Sequence, residues 1–291
     1  MSPKLIEQVK HIQLKASQMV TYQLVGHYQS AFKGSGMEFD KVRQYDPGDD
    51  ARLLDWNVTA RMQQPYSRVY CEERERTLMV MVDVSASQAW ASTHVSKNEM
   101  CAEFAAVVAL LATQHNDRVG LIVFSDKIEH YIPPKRGKSH VWQMIRDILS
   151  YENPQGKTDI KAALQWLLKV QKKPSLCFLI SDFCDEKYEK ELQHIASRHD
   201  LIAVQVLDQF EREIPPIGEV SIADLETQKS SFWNFSSNFL QKKYQEGVVQ
   251  QQSILKKLFG KYGIDHLVME PQDGFFRPLM QLMKSRERRS L

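Results

Sequence analysis

Leu78 to Ser87 reads LMVMVDVSAS, an apolar run ending in Asp83, Ser85 and Ser87 at the spacing DxSxS. A short apolar run of this kind predicts a buried strand, and the acid and the two hydroxyls then sit at its C-terminal tip. All three are hard oxygen donors. Mg²⁺ takes about six oxygens at roughly 2.0–2.1 Å and keeps several waters, so one carboxylate and two hydroxyls make half a coordination sphere, and Mn²⁺ or Ca²⁺ would accept the same donors. Two later segments supply more oxygen: Thr158 lies in QGKTDI just before a helical pattern, and Asp182 closes the apolar run LCFLISDF. In open parallel sheets ligands collect outside the carboxyl ends of the strands, where runs ending at Asp83 and Asp182 both point. The alternative use of Ser85 and Ser87 is helix capping. The helix that follows, expected over Lys97 to Gln114, has its own cap in Ser96 with Glu99 three residues on, which frees the two serines.

The elements that must position these residues follow from the hydrophobic pattern. From Thr77 onward, strand-like runs (Leu78 to Asp83, Arg118 to Phe124, Leu176 to Ser181, Leu201 to Leu207, His266 to Met269) alternate with helical patterns (from Lys97, Val141 to Ser150, Ile160 to Val170, Tyr188 to Arg198, Phe275 to Lys284). This alternation predicts an α/β fold with a doubly wound, mostly parallel sheet and helices on both faces. SDKIEHYIPP is readable as an antiparallel edge strand ended by Pro133 and Pro134. Two domains are expected: residues 1–76 as an N-terminal block with an amphipathic helix near Ile6 to Val20, a GSGMEF loop and a dense charged stretch, and residues 77–291. The second carries an insertion at about 208–263, a hairpin (EVSIADLETQKSSFWNF) and a polar helix from about Ser237 to Phe259.

Composition narrows the class. With 291 residues, 43% apolar and 25% charged, the chain reads as a globular protein rather than a disordered or fibrous one. No apolar run reaches the roughly 18–20 residues of a membrane span, and the N-terminus lacks a signal-peptide core. Four cysteines without CxxC or CxH spacing argue against zinc and disulfide frameworks. A net charge of +2, with a short basic tail KSRERRSL, gives no field for nucleic acid.

Asp83, Ser85, Ser87, Thr158 and Asp182, in this order, resemble the metal-ion-dependent adhesion site (MIDAS) of von Willebrand factor A domains. DRVGLIVFSD (Asp117 to Asp126) looks like the second strand and turn of that family. The resemblance implies that the three hydroxyls bind the metal directly and the aspartates directly or through water. The sequence departs from the adhesin pattern at Phe183, where integrin-like domains usually have glycine.

A second resemblance lies upstream. Gly36 to Thr77, with Glu38, Arg43, Tyr45, Pro47, Gly48, Asp49, Asp50, Arg52, Asp55 and Trp56 set as E, R and YxPGDDxRxxDW, closely resembles the signature of the bacterial domain of unknown function 58 family. LDQFEREIPPIGEVSIADLETQ and the closing GIDHLVMEPQDGFFRPLMQLMKSRERR look like further features of it. The resemblance implies a partner among MoxR-type AAA+ ATPases. Many members carry transmembrane helices ahead of this block; this chain is expected to begin too late to hold them and to be cytoplasmic.

The charged signature has two readings: ion pairs that lock the N-terminal block onto the A domain, or a partner surface made by Arg43, Asp49, Asp50 and Arg52. Glu72 to Arg76 reads as a solvated edge strand with cross-strand ion pairs. Trp90, Trp142 and Trp166 read as core or interface aromatics, and Met79 and Met81 as strand residues. QGKTD lacks the first glycine and the preceding strand of a phosphate loop, and neither GxSxG nor HExxH occurs. Ligands that are largely neutral hydroxyls leave the cation electron-poor and able to recruit a partner's carboxylate. The expected function is therefore a metal-dependent protein-interaction module, an adaptor or co-factor of a MoxR-type ATPase in protein assembly or remodelling. The alternatives are a hydrolase using Asp83 or Asp182 as base or nucleophile, and a scaffold with a vestigial metal site. Asp83, at a strand tip rather than in the core, is expected to be replaceable without loss of the fold.

Overall fold

The computed structural model describes residues 3–20, 22–32, 37–72, 76–89, 96–151, 156–185, 187–212, 218–223, 230–234, 237–270 and 274–289. The first part of the GSGMEF loop, Glu73 to Glu75, Trp90 and the middle of the expected hairpin lie outside these residues. In chain order the elements are α1 (Pro3–Met19), α2 (Tyr22–Ala31), β1 (Met37–Gln44), α3 (Trp56–Met62), β2 (Tyr66–Glu72), β3 (Thr77–Asp83), α4 (Lys97–Gln114), β4 (Arg118–Phe124), β5 (Ile128–Lys135), α5 (Lys138–Leu149) and α6 (Ile160–Val170). They continue as β6 (Leu176–Ser181), α7 (Glu189–Ala196), β7 (Asp200–Val206), α8 (Gln209–Arg212), β8 (Glu219–Ala223), β9 (Ser230–Asn234), α9 (Asn238–Lys261), β10 (Asp265–Met269) and α10 (Phe276–Arg289). Two compact units result, one of residues 1–32 with 77–291 and one of residues 33–76. Helices α1 and α2 thus belong to the larger unit, and residues 33–76 make a unit of their own.

The larger unit is a doubly wound α/β fold. Its six-stranded sheet has the order β10-β7-β6-β3-β4-β5, parallel throughout except for β5, which runs antiparallel to β4. Counted by sequence within the sheet this is the 3-2-1-4-5-6 order, whose direction of winding reverses between its first and fourth strands. Those two strands are β3 and β6, the ones that end at Asp83 and Ser181–Asp182.

Alternation along β3 divides the core. Leu78, Val80 and Val82 face a cluster with α1, α2, α4, α5 and α10, whereas Met79 and Met81 face a second with α6, α7 and the C-terminal part of α9. Helix α4 is apolar around most of its circumference because it is covered by the sheet on one side and by α1 and α2 on the other. Ser96 caps it, accepting from the Glu99 amide at 3.1 Å as the sequence spacing predicts.

Gly120 on β4 marks a close approach. A Cβ there would lie 2.7 Å from the Met79 sulfur and 3.1 Å from the Ile132 carbonyl oxygen. Strand β5 passes its two prolines and ends at Lys135 rather than at Pro133. A register shift falls in its pairing with β4 between Val119 and Leu121, which accommodates residues that cannot donate to the ladder. Among the described residues no helix is long and apolar enough to cross a membrane.

Candidate metal centre and the charged signature

The tip of β3 is built around a buried carboxylate. Asp83 is fully buried. Its Oδ1 accepts from the Ser85 amide at 2.9 Å, the turn that a short acid two residues upstream makes with the backbone. Its Oδ2 accepts from the Ser181 hydroxyl at 2.7 Å. Asp83 is therefore a core group as well as a strand tip, contrary to the sequence expectation, because β3 is paired with β4 through Asp83 itself and with β6 through Val82.

The hydroxyls of the site are joined to one another. Thr158 Oγ1 donates to Ser85 Oγ at 2.8 Å, and Ser85 Oγ and Ser87 Oγ stand 3.1 Å apart. Thr158 reaches the tip because the Ala86 amide donates to the Gly156 carbonyl at 3.2 Å, and Gly156 turns with a φ of 105°. The next residue, Asp159, caps α6 by accepting from the Ala162 amide at 2.8 Å. Ser85, Ser87 and Thr158 thus form one chain of three hydroxyls, connected to Asp83 through the Ser85 turn.

Asp182 is the fifth residue. Its Oδ1 accepts from the Cys184 amide at 3.1 Å, and its carbonyl accepts from Gln205 Nε2 at 3.3 Å. His266 Nε2–H donates in turn to Gln205 Oε1 at 3.1 Å, so β7 and β10 brace the Asp182 backbone. The second carboxylate oxygen, Oδ2, is buried without a hydrogen-bond partner. A buried, unsatisfied acceptor is costly, the more so when charged. Burial first, and then the Asp182 charge, push the Asp83 carboxyl up to about 7. Two carboxylates of one sign, one of them with an orphaned oxygen, and a chain of three hydroxyls at the end of the same sheet are donors that fit a hard divalent cation, which would satisfy the oxygen and remove the repulsion. Among the described residues no group of three or more His, Cys, Asp or Glu side chains could hold a metal ion, so a cation here would need the hydroxyls as ligands.

Phe183 has a backbone that glycine adopts more readily than a residue with a side chain. Its φ is 57°, in the left-handed region, while its ring is buried 5.2 Å from Phe259 and 6.4 Å from Tyr188. Its amide donates to Ser181 Oγ at 3.2 Å, so the strained residue also orients the hydroxyl that holds Asp83.

The smaller unit pairs β1 with β2 in antiparallel register. Its signature acids are used locally. Asp49 accepts from Arg43 Nη2 at 2.6 Å, from the Asp46 amide at 3.0 Å and from Ser67 Oγ at 3.3 Å. The Asp46 amide above all, with the Arg43 guanidinium, holds its carboxyl below the usual range. Asp50 caps the turn at Ala51–Leu53 by accepting from the Arg52 amide at 2.9 Å. Asp55 caps α3 and accepts from Arg68 Nε at 2.8 Å. The side chain of Arg52 is exposed, as is that of Trp56.

The family described as "Protein of unknown function DUF58" matches residues 41–254. The chain belongs to the DUF58 family. An uncharacterized protein of Mycobacterium tuberculosis strain H37Rv is 30% identical to this DUF58 chain over 228 residues, which cover 77% of this chain and 72% of the relative. An uncharacterized protein of Mycobacterium avium is 23% identical over 55% of this chain and 96% of the relative. Among solved structures, the DUF58 chain is similar to the conserved hypothetical protein BatB from Bacteroides thetaiotaomicron, with a TM-score of 0.49 and 14% identity over 73% of this chain and 99% of that one. It is also similar to a von Willebrand factor type A structure from Catenulispora acidiphila, with a TM-score of 0.38 and 9% identity over 77% and 43%.

Three residues of this site escape a reading of the sequence. Ser181 and Gln205 lie inside apolar strand runs and read as incidental polar positions. Lys97 opens a helix, where a charge is normally solvated, yet it is fully buried and paired with Glu211. The weak signal available was Ser181 itself, a hydroxyl immediately before the strand-terminal aspartate.

Proposed function

We propose that this DUF58 protein is a non-catalytic, metal-dependent protein-interaction module. Asp83, Ser85, Ser87, Thr158 and Asp182 would hold Mg²⁺, or Mn²⁺ or Ca²⁺ in its place, and leave a position for a carboxylate of a protein partner. The observation that carries this reading is the orphaned, buried Asp182 Oδ2 at the switch point of the sheet, with the Asp182 charge acting on Asp83, whose turn leads into a chain of three linked hydroxyls. Neutral hydroxyls do little to quench the cation's charge, so an acidic partner group is the ligand such a site favours. The family resemblance adds the partner class, a MoxR-type AAA+ ATPase in the cytoplasm, with assembly or remodelling of other proteins as the task. Arg52 and Asp50 in the signature block supply a second, charged surface for that partner.

The test is binding of the protein to a MoxR-type ATPase of its own organism by surface plasmon resonance, in Mg²⁺ and in EDTA, with Asp182→Asn alongside. Binding that needs Mg²⁺ and is lost in the variant supports the reading. Equal binding in EDTA leaves a scaffold that does not use the metal.

A further inference from the structure

Lys97, the first residue of α4, is fully buried, a rare place for an ammonium. Its Nζ donates to Glu211 Oε1. Glu211 is held from two more directions: its Oε2 accepts from the Asp208 amide at 2.9 Å, and its carbonyl accepts from the Tyr244 hydroxyl of α9 at 2.9 Å. The pair therefore joins the start of α4, the segment leaving β7 and the α8–α9 insertion. It also stands at the metal edge, since Asp208 follows β7 closely and Gln205 at the end of β7 holds the Asp182 carbonyl. The thiol of Cys101, one turn along α4 from Lys97, is pushed up by burial first and then by Asp83, while Lys97 acts in the opposite sense and Asp182 adds to the rise. One ammonium and two carboxylates thus share a desolvated neighbourhood in which charge is little screened.

We propose that Lys97 is a fixed counter-charge to Asp83 and Asp182, and that its pair with Glu211 couples metal occupancy to the α8–α9 insertion. This rests on the metal reading above. Without a metal, Lys97 offsets part of the repulsion between the two carboxylates. A divalent cation cancels their two charges, so Lys97 loses its attraction to them and depends more on Glu211 for neutralisation. Glu211 therefore sets metal affinity, and by reciprocity the metal sets how firmly Glu211, and with it Tyr244 on α9, is held. A partner docking on the insertion would in this way sense whether the site is filled.

The test is calorimetric titration of Mg²⁺ into EDTA-stripped wild type, Glu211→Gln and Lys97→Met. Glu211→Gln leaves the Lys97 charge bare and is expected to weaken Mg²⁺ binding roughly tenfold, within the usual span of couplings between sites. Lys97→Met is expected to tighten it. Affinities within twofold of one another in three folded proteins would overturn the coupling and leave the metal reading standing. No binding by the wild type would overturn both. Because Lys97→Met alters a fully buried group, a second measurement uses the wild type alone: hydrogen exchange with and without saturating Mg²⁺. Increased protection over 208–212 and around Tyr244 is expected, and unchanged exchange there in the metal-bound protein would overturn the proposal.

Discussion

Phe183 offers a quantitative test of the backbone at the metal edge. At a φ of 57° a residue with a Cβ is strained by about 1–2 kcal/mol, a cost that glycine escapes. The ring offsets that strain by packing against Phe259 and Tyr188. Phe183→Ala keeps the strain and loses the ring, which is expected to cost about 3–5 kcal/mol. Phe183→Gly loses the ring, one further methyl at about 0.8 kcal/mol and roughly 0.5–1 kcal/mol of unfolded-state entropy, but releases the strain. The gain and the extra losses nearly cancel, so the glycine variant should lie within about 1 kcal/mol of the alanine variant. At an ordinary φ the same losses would leave it roughly 1.3–1.8 kcal/mol less stable. Urea denaturation followed by circular dichroism, extrapolated linearly to water, measures the difference. A glycine variant less stable than alanine by the full ordinary amount would refute the claim that this position is strained. Since the Phe183 amide rather than its ring donates to Ser181, both variants should still bind Mg²⁺.

Three further outcomes follow from the structure. The Asp83 carboxyl, raised from 3.8 to about 7, binds a proton in the native state that the unfolded chain gives up earlier, so its contribution to stability is complete below about pH 4 and lost as pH rises through 7. In EDTA the urea midpoint of wild type relative to Asp83→Asn should therefore fall between about pH 4 and 7 and level off above, and Mg²⁺ should restore it; a constant difference would contradict the buried carboxylate pair. Gly120→Ala should cost about 1–3 kcal/mol in the same urea assay, because its Cβ meets the Met79 sulfur and the fixed Ile132 carbonyl. Asp55→Ala, which removes both the α3 cap and the partner of Arg68, should lower the thermal midpoint while Arg52→Ala leaves it unchanged.

Much of the larger unit is legible in the sequence because its strands are buried on both faces. Leu78 to Asp83, Arg118 to Phe124 and Leu176 to Ser181 read as continuous apolar runs, and that burial is what a parallel sheet between helices requires. The Ser96 cap and the hairpin-plus-helix insertion were readable from local signals of the same kind. Helix α2 and the β1–β2 pair were not. YQLVGHYQSA carries a glycine and little amphipathic contrast, and MEFDKVRQ has the charge of a solvated segment, so neither announces its element. The five candidate ligands could be named from spacing at the ends of predicted elements. Their supports could not: Lys97 meets a partner 114 residues away, and Ser181 meets one 98 residues away, contacts fixed only when β3, β6 and the insertion come together.

The central claim is that Asp83 and Asp182 frame a hard-cation site, and calorimetric titration of Mg²⁺ into EDTA-stripped protein tests it most directly. Asp83→Asn is the matched control, since it keeps the shape, its Oδ1 can accept from the Ser85 amide while its Nδ2 donates to a rotated Ser181 hydroxyl, and one charge is removed. The account predicts saturable binding by the wild type that the folded variant loses. An absence of binding in the wild type, or equal binding in both proteins, would contradict it.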